Sequence, residues 1–488
     1  MKPQLQQISI LFLLIILVIL GCRKDKFIED PSANIRLEID SILFDTVFAT
    51  VGSTTRQFKI YNPNKQAIKI DVLRLKGGTN SQFRINADGI AGVEINDLEI
   101  AAGDSIFVFA EVTVDPNNQT APFVVEDEIE IIVNTNISKV KLVAWGRNAH
   151  YYTPKVFTQG LPPYSCLDGD CDTSVPPVNQ TWINDLPYVI YGYLVIDEND
   201  QLTIDKGCEI YFHANSGIWV YQGGSITVNG TLQEPVVFQG DRLEASYQDK
   251  TGQWDRIWIN EGSNDNVFNY AIIKNSFIGI QAETLPFSPN TVISGNNLVL
   301  NNCIIDNTAA FGILAKNYQI QANNCLITKC GQYAFAVTGG GQYDFTHVTI
   351  ANYWTESTRE TESVYLQNYY TDINGNTQVR NIDWCNFTNC IVYGNIDNEF
   401  NYDELSPGTI NFTYTNSILK TNKSTSGSNY VSVLKNTNPL FTDENNGDFH
   451  LQSSSQAVDF GISSPITTDL DGNTRDANPD LGCYEYVP

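Results

Sequence analysis

A six-residue pattern that returns at a nearly fixed step constrains this chain more than any other feature. It reads Phe268-Asn-Tyr-Ala-Ile-Ile273, Leu300-Asn-Asn-Cys-Ile-Ile305, Ala322-Asn-Asn-Cys-Leu-Ile327, Phe345-Thr-His-Val-Thr-Ile350, Phe387-Thr-Asn-Cys-Ile-Val392 and Tyr414-Thr-Asn-Ser-Ile-Leu419. From Cys303 to Cys325 the step is 22 residues, and from Cys325 to Val348 it is 23. A repeat of this length predicts one coil of a three-sided parallel β-helix. Strand alternation sends Ala271, Cys303, Cys325, Val348, Cys390 and Ser417 to one face, with Ile273, Ile305, Ile327, Ile350, Val392 and Leu419 two residues on. Stacked about 4.8 Å apart, these form a small and a large inward ladder, and no coil buries its apolar side alone.

The ladder gives Cys303, Cys325 and Cys390 the role of small core residues rather than disulfide partners. Asparagines just before them stack near a turn, where side-chain amides bond along the axis. His347 reads as a ladder residue. Earlier rungs run from Leu202 to Ile204, Glu209 to Tyr211, Ile226 to Val228 and Val236 to Phe238, with Gly207, Gly224 and Gly230 at corners. Two steps are long. One implies a loop near Leu285 to Ser294, the other an insertion from about Trp354 to Asp383. Long excursions from a rigid solenoid often carry function.

Ahead of the array, residues 35–148 alternate in short runs such as Ile68-Lys-Ile-Asp-Val72 and Ile106-Phe-Val-Phe109, broken at Asn62-Pro-Asn-Lys65 and Ala102-Gly-Asp104. That spacing predicts a β-sandwich. Residues 149–178, rich in Pro, Tyr and Asp, read as a linker, and 179–488 as the β-helix. At the start, Lys2 precedes an apolar run from Ile8 to Leu20 of signal-peptide length. The run ends in Ile19-Leu20-Gly21-Cys22, which resembles the bacterial lipobox. That implies a signal peptide over 1–21, lipid on Cys22 and a polar tether over 22–34; the alternative is an uncleaved membrane anchor. Lipidation makes a membrane the first expected partner, since several acyl chains hold a protein firmly to a bilayer.

The formal charge of −26 makes nucleic acid an unfavourable partner, because the phosphate term is repulsive. An acidic polysaccharide is repelled too, unless cations or a local basic patch intervene. Ten cysteines and four histidines give no zinc spacing. Asp168, Asp170 and Asp172 alternate within a stretch bracketed by Cys166 and Cys171. Such carboxylates can wrap Ca²⁺, although the distal Glu and turn glycine of an EF-hand are missing. A solvated acidic loop closed by a small disulfide is the alternative. Asp469 and Asp471 make a second, weaker Ca²⁺ candidate, and Arg475 is expected to pair with Asp480 or Glu485 in closing the final turn.

Residues 35–148 resemble immunoglobulin-like domains of the ASH and pilus-chaperone-like group, through "FKIYNPNKQAIKI", "FRI", "LEIAAGDSIFVFAEVTVDP" and "VKLVAWG". Those domains act as spacers or docking modules. From residue 180 onward the chain resembles the right-handed β-helix lipoproteins of Bacteroidota. The stretches are "WINDLPYVIYGYLVIDENDQLTIDKGCEIYF", "GQWDRIWINEGS", "NPLF…GDFHL" and the closing "DLDGNTRDANPDLGCYEY". The likeness spans roughly three hundred residues, and Cys483 stands where the family pattern has Ala. It implies a pectate-lyase-like, all-β architecture and an outer-membrane location. It implies less about activity, because fold does not fix function.

β-helices host polysaccharide lyases, glycoside hydrolases and non-catalytic binders. The polygalacturonase set of Asp-Asp, Gly-His-Gly and Arg-Ile-Lys is absent. One candidate cluster is Asp255, Arg256 and Glu261 beside Trp254 and Trp258, where indoles and acids suit a sugar ring; the alternative is a structural segment with inward aromatics. Another is the insertion, with Tyr353 and Trp354 at its base and Glu356, Arg359, Glu360, Glu362, Tyr369, Tyr370 and Arg380 along it. A cell-envelope lipoprotein binding glycans or a cell-surface protein without catalysis is the expected function, with a polysaccharide lyase or glycosidase as the alternative. A groove of converging acids and a base favours the enzyme, and a flat tyrosine-bearing face favours binding.

Overall fold

The structure, a computed structural model, describes residues 26–116, 121–169, 171, 176–197, 199–260, 262–263, 265–284 and 297–488. The segment expected to be a signal peptide, Cys22 and the loop expected near Leu285 to Ser294 lie outside the described residues. Two compact units divide between Asn148 and Ala149.

The first unit is a β-sandwich of two five-stranded sheets. One runs Arg36–Leu37, Arg56–Tyr61, Ser105–Val112, Phe83–Ala87, Ile90–Gly92, all antiparallel. The other runs Ser41–Phe48, Asn136–Arg147, Phe123–Val133, Ile68–Leu75, Glu94–Ile100. It is antiparallel except where Ser41–Phe48 lies parallel to Asn136–Arg147. Alternation places Phe58, Ile60, Val108 and Ala110 of one sheet in a single core with Leu73, Ile129, Ile131 and Val140 of the other.

The second unit is a parallel β-helix. Among the described residues, nineteen parallel strands wrap two of its sides and nine form the third. The large ladder holds its register throughout: Ile273 pairs with Ile305, then Ile327, Ile350, Val392 and Leu419. Both predicted ladders are buried. Each repeat, however, is a corner between two strands and not one continuous strand. Asn297–Asn301 and Ile304–Thr308 flank a bend at Asn302, whose φ is 54°. The same position is left-handed in Asn324, His347, Asn389 and Asn416, at 56°, 55°, 55° and 43°. Asparagine tolerates this region because its short amide bonds locally. The asparagines do bond along the axis: Asn301 Nδ2 donates to Asn269 Oδ1 at 3.0 Å, and Asn323 Nδ2 to Asn301 Oδ1 at 3.0 Å.

Two boundaries differ from expectation. The segment read as a linker carries His150–Tyr152 and Tyr164–Cys166, which pair with Tyr188–Ile190 and Tyr193–Ile196. It therefore forms the first coil. Three-residue strands between prolines are too short to show an alternating pattern. The insertion contains Val364–Gln367, a regular strand of the third side between Tyr333–Thr338 and Phe400–Asp403. The extra chain is a loop over 353–363 and a hairpin of Tyr369–Thr371 with Thr377–Val379.

The closing segment folds back along the flank. Phe441, Phe449, Leu451, Leu481 and Cys483 pack on the outward Leu326, Ala351, Ile391 and Ile418. Arg475 pairs with Glu485, as expected, and also reaches Asn324 Oδ1 at 2.8 Å, while the Cys483 amide donates to Thr349 Oγ1 at 3.0 Å.

Candidate binding face

The outward side of the nine-stranded sheet collects the polar and aromatic residues. Alternation sends Ile257, Ile259, Ile280, Ala282, Ile313, Ala315, Phe335 and Val337 into the core. The residues between them stack outward in register. One column runs Trp219, Trp258, Gln281, Leu314, Ala336, Tyr365, Asn401. Its neighbour runs Asn260, Glu283, Lys316, Thr338, Gln367, Asp403.

Hydrogen bonds tie these columns along the axis. Trp258 Nε1 donates to Glu283 Oε1 at 2.8 Å, and Lys316 Nζ sits 3.0 Å from Glu283 Oε2. Lys316 also lies 5.1 Å from the centre of the Tyr370 ring, a cation–π distance. Arg256 donates through Nε and Nη2 to Asp255 Oδ1, at 2.9 and 2.8 Å, and through Nη1 to Gln281. Asp255 in turn accepts from Tyr193, whose phenol is held well above its usual range, first by burial and then by that carboxylate. Trp219 and Trp258 stack with centroids 4.7 Å apart. Further along, Phe311, Tyr333 and Tyr365 form a half-buried row at centroid spacings of 5.7 and 5.3 Å. Rings in such a row cover part of one another and leave partly exposed apolar surface with polar tips.

Several expected site residues lie elsewhere. Trp254 is an interior residue, 1% exposed, stacked on Phe212 at 4.2 Å with its indole N–H on the Lys274 carbonyl. The chain turns a corner between Trp254 and Ile257, so strand parity does not carry across. Arg359 is also interior: it forks onto Glu399 at 2.9 and 2.7 Å, with both side chains 0% exposed. It bonds as well to the carbonyls of Thr361 and Asn352 and to Asn395 Oδ1. Tyr353 packs on Phe441 and Phe449 of the closing segment, and Trp354 is buried with its N–H on Ser357 Oγ. Arg380 is buried against Gln378 Oε1 and the Val379 carbonyl. Tyr369 donates to Asp403 Oδ2 at 2.6 Å, and Tyr370 lies over Gly339 at the sheet's edge. Glu360 lines a cavity of about 490 Å³ with Gln332, Tyr333, Ser357 and Thr361.

Cys166 and Cys171 form a disulfide, and Asp168 Oδ1 accepts the Cys171 amide at 3.1 Å. Asp170, Asp172 and Glu261 lie outside the described residues. Asp469 accepts from the amides of Asp471, Asn473 and Glu485 and from Asn473 Nδ2, so its oxygens hold a turn. Among the described residues, no cluster of three His, Cys, Asp or Glu is placed to hold a metal ion.

Gln281, Glu283, Lys316, Tyr333 and Tyr365 were missed by sequence reasoning. For all but Tyr365 the signal was a second repeat, Ile278-Gly-Ile-Gln-Ala-Glu283, Phe311-Gly-Ile-Leu-Ala-Lys316 and Tyr333-Ala-Phe-Ala-Val-Thr338, which marks the third side as clearly as the asparagine corner marks the other two.

Residues 188–354 match the model of a right-handed β-helix region. No curated protein matches the chain. Among solved structures it is similar to a family 123 glycoside hydrolase from Clostridium perfringens, at 7% identity and a TM-score of 0.18, over 24% of this chain and 27% of that one. The chain thus spans about a quarter of that enzyme's length. It is also similar to the catalytic unit of a GH87 α-1,3-glucanase from Streptomyces thermodiastaticus, at 10% identity and a TM-score of 0.19, over 74% and 79% of the two chains. A further GH87 α-1,3-glucanase catalytic domain is 13% identical with a TM-score of 0.16, over 78% and 91%. Likenesses this distant assign no substrate.

Proposed function

We propose that this chain is a lipid-anchored cell-envelope protein of the outer membrane whose right-handed β-helix binds glycans without cleaving them, with the N-terminal sandwich as an immunoglobulin-like spacer. The observation that carries the binding reading is the row of Phe311, Tyr333 and Tyr365 beside columns of amides and hydroxyls. Pyranose rings stack their C–H faces on such aromatics, and extended polymers suit a flat face that repeats at each coil.

The acids support binding over cleavage. A glycosidase needs one carboxyl group to donate a proton and a second to act as base or nucleophile. On this face Asp255 is forked by Arg256 and Glu283 is held by Lys316 and Trp258, while Glu362 accepts from Asn401 and Asp403 from Tyr369. The anchor rests on the lipobox-like residues ending at Cys22.

A glycan array probed with the ectodomain tests the reading, together with a depolymerisation assay on the polymers that bind. Binding with no shortening of the polymer is expected. Cleavage of a bound polymer would replace this proposal with a lyase or glycosidase, and capture of a surface protein but no glycan would move the ligand class. Labelled fatty acid incorporated by the wild type and lost in Cys22→Ser checks the anchor.

A further inference from the structure

We infer that the ligand of the nine-stranded face is a neutral glycan and not a uronate polymer; this rests on the glycan-binding reading above. A carboxylate-bearing sugar needs an available cation, either a side chain or a bound metal ion. The outward side of this sheet carries Arg256 and Lys316, and each charge is already neutralised by an adjacent carboxylate. Arg256 spends its fork on Asp255 and a third N–H on Gln281. Lys316 is taken by Glu283, which is 6% exposed, and by the Tyr370 ring. A uronate at Lys316 would compete with a buried carboxylate whose other oxygen accepts the Trp258 N–H, and displacing it would leave that acid uncompensated.

The insertion offers no substitute, because Arg359 is locked on Glu399 inside the fold and Arg380 is buried on its own hairpin. Glu360, Glu362 and Asp403 on the same side repel an anionic chain. The acids nearest these rings already have cationic partners, Asp255 on Arg256 and Glu283 on Lys316. What the face does offer is the half-buried rings of Tyr333 and Tyr365 and the uncharged hydroxyl and amide groups of Thr338, Gln367 and Asn401, which can each make bonds beyond those they already hold and suit hydroxyl and acetamido groups.

Affinity electrophoresis of the intact ectodomain tests this, through gels containing β-glucan, xylan, mannan or soluble chitin oligomers, and separately polygalacturonate or alginate. Each gel is run at low and physiological salt, with and without calcium. The expected result is retardation by a neutral polymer, insensitive to salt and about tenfold or more stronger than by either uronate polymer. Glu283→Gln, which keeps the shape and frees Lys316, is expected to gain roughly tenfold affinity for polygalacturonate at low salt. A melting curve matched to the wild type shows that the variant is folded. Retardation of the wild type by a uronate as strong as by any neutral polymer, with or without calcium, overturns the inference, and so does a folded Glu283→Gln variant with no gain. Failure of every polymer to retard the protein instead removes the glycan reading and takes this inference with it.

Discussion

Arg359 and Glu399 meet through two parallel hydrogen bonds of 2.9 and 2.7 Å, forty residues apart in sequence and wholly inside the fold. Glu399 also accepts the Ser363 and Ile396 amides and the Ser363 hydroxyl. The pair therefore fastens the 353–363 loop to the next coil. Arg359→Ala leaves a buried carboxylate without its cation, a loss of about 3–5 kcal/mol. Chemical denaturation should show that loss. Unchanged stability would mean that the arginine is solvated and free for other work.

Truncating the aromatic row should act on binding and not on folding. Tyr333→Ala and Tyr365→Ala each remove a half-buried ring that supports its neighbour, so each is expected to weaken glycan affinity by about 1–2 kcal/mol, roughly tenfold. The melting temperature should move little. Titration of the variants against the polymer that retards the wild type measures this, and an unchanged affinity would take the row out of the binding face.

His450 should make the closing segment sensitive to pH. Its ring lies 2.6 Å from Asp448 and 2.8 Å from Asp471, and it packs on Tyr484 at 4.0 Å between centroids. Burial opposes the charge, yet the bonds to Asp471 and Asp448 outweigh it and raise the pKa above 6.5. His213 is raised likewise by Asp241. A raised folded pKa gives stability that is full below the unfolded value and lost as pH rises through the folded one. Hydrogen exchange in Asp448–Leu451 should therefore quicken as pH climbs past 6.5, after correction for intrinsic rates. His450→Gln should flatten that response.

The thiols should be silent in the native protein. Cys208, Cys303, Cys325, Cys330, Cys385, Cys390 and Cys483 are free and buried. Burial pushes the Cys330, Cys390 and Cys483 thiols up to about 12. Only the thiolate reacts, so a thiol reagent at about pH 8 should label none of the seven until denaturant is added. Native labelling at Cys303, Cys325 or Cys390 would contradict their place in the inward ladder.

How much could be read in advance depended on the range of the interaction. The inward ladders were legible because each rung repeats the same small and large residues at the same step, as Cys303, Cys325 and Ile305, Ile327 do. His347, expected on a strand of the ladder, occupies the left-handed corner between two strands instead, where it bonds to Asn389 of the next coil at 3.0 Å. Burial, joined by the Arg475 charge, pushes its pKa down to about 3. The candidate face was only partly legible. Asp255, Arg256 and Trp258 were singled out as candidates, but their partners Gln281 and Glu283 lie one coil away.

The chain's own order of residues determined the solenoid, because stacking identical coils needs only a periodic pattern and each coil meets the next at a fixed offset. Tertiary structure alone decided which charged and aromatic side chains remain for a ligand. A corner between Trp254 and Trp258 reverses inside and outside, and a loop of irregular length brought Arg359 to Glu399. Charges are spent or spared by such pairings across coils, and an irregular loop leaves no period from which to read them.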